Sequence, residues 1–327
     1  MTVDAHILAA FRNAEGGAVS GEDLATRLQI SRAAIWARIE ELRQLGYEIE
    51  ASPHEGYRLK KCPDLLHADD LLARLDGKQL IGRDIRVFKE TTSTNDAVER
   101  VARDGEAEGV VVFAETQTKG RGRLGRRWIS PPGRGLWFSI LLRPNISPQS
   151  ITQITVASAV SLRRAIKTVT GLVAEIKWPN DLMLNGLKIA GILTELSSEP
   201  DAVKHVVLGI GVDVNLTSED IPEELRNVAT SLRIVTGRKL DRAALAIQIL
   251  REIDRAYASI QEGMFEELSN EWASGCATIG KDVTIEMGGR LLQGRVEALD
   301  QDGALLLRTE HGRLERVIAG DVRIHPS

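Results

Sequence analysis

Apolar residues recur with a helical period through the first 45 positions. Ile7, Leu8 and Phe11 share one side of a helix predicted over residues 3–14. Leu24, Ala25 and Leu28 mark a second, which Ser20 opens as an N-cap with Asp23 at the reciprocal third position. Ser31 caps a third, running to about Leu45 with Ala34, Ile35, Ile39 and Leu42 at i, i+3/i+4 spacing, and Gly46 closes it. The pattern then alternates over residues 47–59, around Pro53-His54-Glu55-Gly56, which is a hairpin signal. Three helices, a tight turn between the last two and a hairpin predict a winged helix-turn-helix over residues 1–61. A helical dimerisation module that carries a hairpin is the plainer alternative.

Cys62-Pro63-Asp64 reads as a short linker, and beyond it the periods mix. Helices are predicted over residues 69–75, 151–169 and 241–261, and a loop leading into a helix over 91–103. Strands are predicted over 85–88, 109–114, 136–142, 174–178 and 206–214, and over 188–196 as the return arm of a hairpin at Asn185-Gly186. This order points to a mixed, largely antiparallel sheet with helices on one side rather than a doubly wound fold. From Lys281 onward, strands over 283–287, 292–298, 304–308 and 314–318 are separated by Gly288-Gly289, Asp302-Gly303 and His311-Gly312, the spacing of a small SH3-like β-barrel. The fold class is therefore α+β and multidomain, with units at 1–61, 65–274 and 278–327.

Composition narrows the setting. With 43% hydrophobic and 27% charged residues the chain is an ordinary globular protein, and at 4% aromatics its interior must be aliphatic. Two distant cysteines, Cys62 and Cys276, exclude a disulfide framework or zinc ribbon and fit a reducing cytoplasm. The first residues lack a signal-peptide pattern, and no apolar run reaches the ~18 residues that span a bilayer, so a soluble cytoplasmic protein without a membrane partner is expected. The net charge is −4, yet residues 116–174 hold ten basic side chains and no carboxylate, a local +10 against −14 elsewhere. Such a segment is expected to face an anion, or else to be a solvated face gathered by chance. Residues 1–61, with eight Lys/Arg and nine Asp/Glu, are no basic patch. DNA affinity rests on phosphate contacts, so one such domain would bind weakly and a dimer would be needed.

At the centre of the acid-free segment lies Gly120-Arg-Gly-Arg-Leu-Gly-Arg-Arg-Trp128. Its G-x-G-x-x-G follows a predicted strand, but Pro131-Pro132-Gly133 forbids the helix a dinucleotide fold requires, and no acidic residue follows at the ribose spacing. What remains is a glycine-rich loop bearing Arg121, Arg123, Arg126 and Arg127, whose forks match phosphate and carboxylate oxygens. Four arginines left unpaired predict a loop that is mobile when empty and ordered by an anion. Lys177-Trp-Pro-Asn-Asp181 places Asn180 and Asp181 at a strand end, where a carboxylate can hold a divalent cation or accept from a ribose, and Lys188 can reach the same cleft. Alone, these would be turn residues and a surface lysine. Thr91-Thr-Ser-Thr-Asn-Asp96 offers hydroxyl and amide groups either as a helix cap or to a polar ligand. Gly209 and Gly211 permit close approach or mark a bulge.

Gly120-Arg-Gly-Arg-x-Gly-Arg-x-Trp128, Lys177-Trp-Pro-Asn-Asp181, Lys188-Ile-Ala-Gly-Ile-Leu and Ser93-Thr-Asn95, in this order and spacing, resemble the biotin protein ligases. Ser31-Arg-Ala-Ala-Ile35 in a winged helix is similar to the bifunctional form that also represses biotin synthesis genes. The resemblance implies a class II synthetase-like ligase domain that joins biotin to ATP as biotinyl-5′-adenylate and passes biotin to a lysine of a biotin carboxyl carrier protein. It implies Arg123, Lys188 and Asp181 as catalytic residues. Ser93, Thr94, Asn95, Gln117, Gly120, Arg121, Gly122, Arg123, Lys188 and Gly191 would meet biotin. Arg123, Arg126, Trp128, Asn180, Asp181, Lys188 and Asn215 would meet ATP, with Asp181 on Mg²⁺. Ser31, Arg32 and Arg38, within the region from Gly21 to Glu40, would meet operator DNA as an adenylate-bound homodimer. A ligase whose winged helix no longer reads DNA, a non-catalytic biotin-sensing repressor, and a lipoate or octanoate ligase are the competing readings. Asp213 stands where this family commonly has Asn and takes no assigned role. Trp36-Ala37 departs from the polar pair that base reading would favour.

Overall fold

The computed structural model describes residues 1–325 apart from 54, 76, 200 and 201. Its N-terminal unit runs α1 (Val3–Asn13), α2 (Gly21–Leu28), α3 (Arg32–Gln44), β1 (Glu48–Ser52) and β2 (Gly56–Lys61). Each helix begins where a side-chain oxygen can take an orphan N–H: Thr2 accepts from Ala5, Ser20 from Asp23 and Ser31 from Ala34. β1 and β2 pair antiparallel as the expected hairpin; His54 of its turn lies outside the described residues. Ile7, Leu8, Phe11, Ile35, Ile39 and Leu42 interlock in a separate small core.

This unit is bolted to the next. α4 (Ala68–Arg74) packs on α1, and the buried Asp70 carboxylate pairs with Arg12 of α1 and Arg74 of its own helix. The expected linker is short but pinned. Arg12 reaches Cys62 Sγ at 3.6 Å, and Asp64 accepts from Arg242 at 3.1 Å.

The central unit continues with β3 (Asp84–Phe88), α5 (Thr94–Arg103), β4 (Val110–Ala114), β5 (Leu136–Leu142), α6 (Thr152–Thr170), β6 (Glu175–Lys177), β7 (Asp181–Leu184), β8 (Leu187–Ser198), β9 (Val203–Val212), α7 (Leu232–Thr236), α8 (Arg242–Gln261) and α9 (Phe265–Gly275). The seven strands are ordered β3-β4-β5-β9-β8-β7-β6, with β3 and β4 parallel and every other neighbouring pair antiparallel. The sheet is therefore mixed and largely antiparallel, as the pattern predicts. The helices do not all lie on one side. Alternation sends Val111, Phe113, Phe138, Ile140, Leu208 and Ile210 toward α6 and α8, while Val110, Val112, Leu141 and Val207 pack under Ala97, Val98, Val101 and Ala102 of α5. A strand buried along its whole length, as β4 is, needs cover on both faces. α7 and α9 are short elements that the sequence periods do not announce.

The C-terminal unit is a five-stranded antiparallel sheet of β10 (Asp282–Met287), β11 (Arg290–Leu299), β12 (Leu305–Thr309), β13 (Leu314–Val317) and β14 (Asp321–Ile324), ordered β13-β12-β11-β10-β14. Val283, Ile285, Val296, Leu305 and Leu307 join the central core. The β11–β12 turn docks at the start of α6, where Ser150 Oγ donates to Asp302 at 2.7 Å and Gln153 Nε2 to the Gln301 carbonyl at 2.9 Å. No described helix is long and apolar enough to cross a membrane.

Candidate active site

α5 covers only part of its face of the sheet. Beside it, strands β5, β9 and β8 present Trp137, Ser139, Gly209, Gly211, Gly191 and Leu193, and a cleft of about 490 Å³ opens above most of them, in the range for small-molecule sites. The glycines keep the sheet low. A Cβ on Gly209 would stand 2.1 Å from Asn95 Oδ1, and one on Gly211 would stand 2.5 Å from the Trp128 ring. Gly209 and Gly211 thus admit protein side chains to the sheet surface.

Beside Gly209 the floor is polar. Ser93, Thr94 and Asn95 are buried at the start of α5, and the Ser93 side chain makes no capping bond. The Thr94 amide donates to Gln117 Oε1 at 2.9 Å, and Gln117 Nε2 donates to Ser130 Oγ at 3.0 Å. Ser139 Oγ lies 2.7 Å from Thr94 Oγ1 and 2.6 Å from Asn95 Oδ1. Asn95 Nδ2 donates to Glu195 at 2.6 Å. A network of this kind holds its amides and hydroxyls in fixed directions, ready for a ligand with both donors and acceptors.

The glycine-rich loop arches beside this floor as a tight reversal. Trp128 N–H donates to the Gly120 carbonyl at 2.9 Å, Gly122 N–H to the Arg126 carbonyl at 2.7 Å, and Arg123–Gly125 form one 3-10 turn. Its arginines are not all left unpaired, contrary to expectation. Arg121 donates to both oxygens of Glu195 and, through Nη1, to Asp96 at 2.6 Å, while Arg126 pairs with Asp321 of β14. Burial lowers the Arg121 pKa, and the Glu195 and Asp96 bonds overcome it to leave the net shift upward. Arg123 differs. It makes long hydrogen bonds to Asn180 Oδ1 at 3.4 Å and the Gly320 carbonyl at 3.5 Å, and no ion pair among the described residues. Burial drives its pKa down, since Asp321 and Asp181 oppose that only from a distance.

Across the cleft, Lys177 and Asp181 stand opposite one another in the backbone register of β6 and β7, and Asn180 Nδ2 is tied to the Ile192 carbonyl at 2.7 Å. Lys188 Nζ stands 2.6 Å from Asp181 Oδ1 and 5.2 Å from the Trp128 ring centroid, a cation over an aromatic face. That Asp181 oxygen is buried without a well-directed hydrogen bond. Trp128 Nε1 is likewise buried without an acceptor among the described residues. The buried Asp213 carboxyl lines the same wall, and desolvation pushes its pKa up to about 8 against the pull of the Lys188 ammonium.

Of the site residues expected from sequence, Ser93, Thr94, Asn95, Gln117, Arg121, Gly122, Arg123, Arg126, Trp128, Asn180, Asp181, Lys188 and Gly191 all line this one cleft. Gly120 lies behind the loop, where its carbonyl closes the reversal. Asn215 is not brought to the cleft: it is fully buried, and its amide both donates to and accepts from the Leu240 backbone at 2.9 Å. The +10 segment also divides. Arg134 pairs with Asp220, Arg143 and Arg163 bind backbone carbonyls, and Arg164 pairs with Glu271. Of this segment, the arginines at 121–127 are the ones that line the cleft. Ser139, Asp96, Glu195 and Asp321 were missed from sequence. Ser139 left a faint signal as the lone hydroxyl in an apolar strand; Asp321 left none.

In the N-terminal unit, Ser31 caps α3 and Arg32 is exposed, whereas Arg38 is held at 2.7 Å by Glu41. Trp36 is 56% exposed on the same helix, a large aromatic side chain left at the surface.

Fold and site together define a multidomain ligase. Residues 87–213 match the Biotin/lipoate A/B protein ligase family, residues 4–58 an HTH domain and residues 278–324 the Biotin protein ligase C terminal domain. The chain is 36% identical over 323 residues to the Bifunctional ligase/repressor BirA of Bacillus subtilis, covering 99% of both chains. It is 31% identical over 325 residues to the protein of that name from Escherichia coli, covering 99% of this chain and 97% of that one. Among solved structures, the biotin protein ligase from Aquifex aeolicus in complex with biotin and ATP superposes with a TM-score of 0.64 at 31% identity, over 75% of this chain and all of that one. This chain belongs to the biotin protein ligase family, in its bifunctional ligase/repressor form.

Proposed function

We propose that the cleft condenses biotin with ATP and then transfers biotin to a lysine of a biotin carboxyl carrier protein. The observation that carries this reading is Arg123, a part-buried guanidinium without a carboxylate partner among the described residues, across from Lys188 and next to a polar floor. A biotin carboxylate oxygen attacks the α-phosphorus, the bond to the β-phosphate oxygen breaks, and pyrophosphate leaves. In the second step the carrier lysine amine attacks the acyl carbon, AMP leaves and the amine loses a proton. Both steps bring anions together, so the work of the protein is to align them and neutralise their charge. Ser93, Thr94, Asn95 and Gln117 hold the biotin head, Arg123 and Lys188 meet the reacting carboxylate and α-phosphate, and Arg126, Trp128 and Asn180 serve the nucleotide. Arg121 supports the biotin side through its carboxylate partners rather than by direct contact. Mg²⁺ would neutralise phosphate charge. No cluster of three ligand side chains occurs among the described residues, so it would arrive on the nucleotide with Asp181, the carboxylate beside Lys188, as its protein ligand.

The units at 1–61, 65–274 and 278–327 act as a winged helix, a ligase domain and an SH3-like barrel. The first binds operator DNA of biotin genes when biotinyl-adenylate drives homodimerisation in the cytoplasm. The near-neutral charge of residues 1–61 and the Arg38–Glu41 pair favour a second reading, a ligase without operator binding; saturable adenylate-dependent DNA binding decides between them. The ligase reading is tested by pyrophosphate release. Biotin-dependent release is expected for the wild type, and a loss of about 10²–10³-fold in Arg123→Ala, the range for one charge-stabilising donor. Release with lipoate or octanoate but not biotin would change the substrate, and absence of release with every acid would leave a sensor.

A further inference from the structure

We infer that Glu195 is a positioning residue whose one carboxylate couples the polar floor of the cleft to the arginine loop. The inference rests on the biotin ligase reading for the identity of the ligand, and on the following contacts for its geometry. Glu195 stands on β8 on the cleft face, in line with Gly191 and Leu193. Its Oε2 accepts from Asn95 Nδ2 at 2.6 Å and from Arg121 Nη2 at 3.0 Å, and its Oε1 accepts from Arg121 Nε at 3.2 Å.

Two consequences follow from hydrogen-bond chemistry. An ionised carboxylate only accepts, so it fixes which end of the Asn95 amide points toward it. The amide nitrogen faces Glu195, and Oδ1 is thereby aimed at Ser139 and into the space that Gly209 leaves open. The same carboxylate takes Arg121 in a two-pronged grip, the strongest geometry available to a guanidinium. Asp96, on α5 one residue beyond Asn95, takes the remaining prong at 2.6 Å. The base of the loop is thus fastened to the same two elements, α5 and β8, that carry the floor. Arg121 is spent on this fastening, which leaves Arg123 as the arginine aimed at the ligand.

The test separates the two halves of the link in the full-length protein. Biotin Kd without ATP reads the floor, and the dissociation rate of preformed biotinyl-adenylate reads the loop. In Glu195→Gln the side-chain oxygen still accepts from Asn95 but the charged grip on Arg121 is gone. Biotin Kd is expected to stay within about threefold of wild type and adenylate dissociation to speed up about tenfold or more, the scale of one charge-assisted hydrogen bond. Glu195→Ala should impair both, and Asp96→Asn only adenylate retention. A Glu195→Ala protein with wild-type biotin Kd and adenylate retention would overturn the inference. So would Gln and Ala variants that lose both quantities equally in step with Tm, the mark of a merely structural role. A wild type that binds lipoate or octanoate instead overturns the substrate reading alone, and the same comparison is then made with that acid. A wild type that binds neither removes both readings.

Discussion

Asp213 carries a carboxyl held far from its ordinary behaviour by burial. Its carboxyl is buried and titrates at about 8, while the unfolded chain would release that proton near pH 4. Between those values the native state holds a proton that the unfolded state lacks. Linkage then lowers stability as pH rises through roughly 4 to 8, the reverse of a salt-bridged carboxylate. Asp213→Asn, which keeps the shape and abolishes the charge, is expected to flatten this slope and to gain most at pH 8 and above. Tm measured from pH 5 to 9 checks it, and parallel curves for the two proteins would refute it. The same burial keeps the carboxyl neutral, and a neutral carboxyl, like an amide, can donate. Sequence identified the position but not its state, because that state is set by the packing around it.

At the scale of elements, the junction built by Arg242 ties together segments far apart in sequence. At the first turn of α8, this fully buried guanidinium donates to Glu115 at 2.7 Å, to the Gly135 carbonyl at 3.2 Å and to Asp64 at 3.1 Å. Glu115 ends the run from β4 into the arginine loop, Gly135 precedes β5, and Asp64 belongs to the segment between the N-terminal and central units. Removing one member leaves a buried charge uncompensated. Arg242→Met is expected to cost about 3–5 kcal/mol, and the double variant with Glu115→Gln less than the sum of the singles. A urea double-mutant cycle measures this, and strict additivity would mean that the two charges do not depend on one another. Most of the regular elements were legible, with α7, α9 and β14 the exceptions. β5 spans the residues its apolar run marks, and α6 and α8 lie within a residue of their periodic stretches. α5 was legible as a helix but not as one on the opposite face, since a period reports that one side is apolar and not which layer covers it.

Across the whole molecule, the cleft draws on more than the central unit. Gly320 and Asp321 of the C-terminal unit reach Arg123 and Arg126, and Asp321, Val322 and Arg323 line the cleft. The Arg126–Asp321 pair is partly exposed, and such pairs contribute about 1 kcal/mol at most. Asp321→Ala should therefore raise the ATP KM by no more than roughly fivefold and leave biotin Kd unchanged. A fiftyfold loss would place Asp321 in contact with the ligand instead. At the opposite end, Asp70 clasps Arg12, so the N-terminal unit rests on the central unit rather than hanging from a free tether.

What the sequence by itself determined is local: helix periods, caps, hairpin turns, the three-unit order and the motif spacing that marks the family. These depend on residues a few positions apart, whose neighbours are covalently assured. What only the tertiary structure decided is which arginines are free. Arg121 meets Asp96 and Glu195 across 25 and 74 residues of chain, and Arg126 meets Asp321 across 195. An acid-free segment looks like an unpaired cation cluster until folding brings distant carboxylates to it. Charge pairing depends on separation in space, and a linear pattern does not contain that separation.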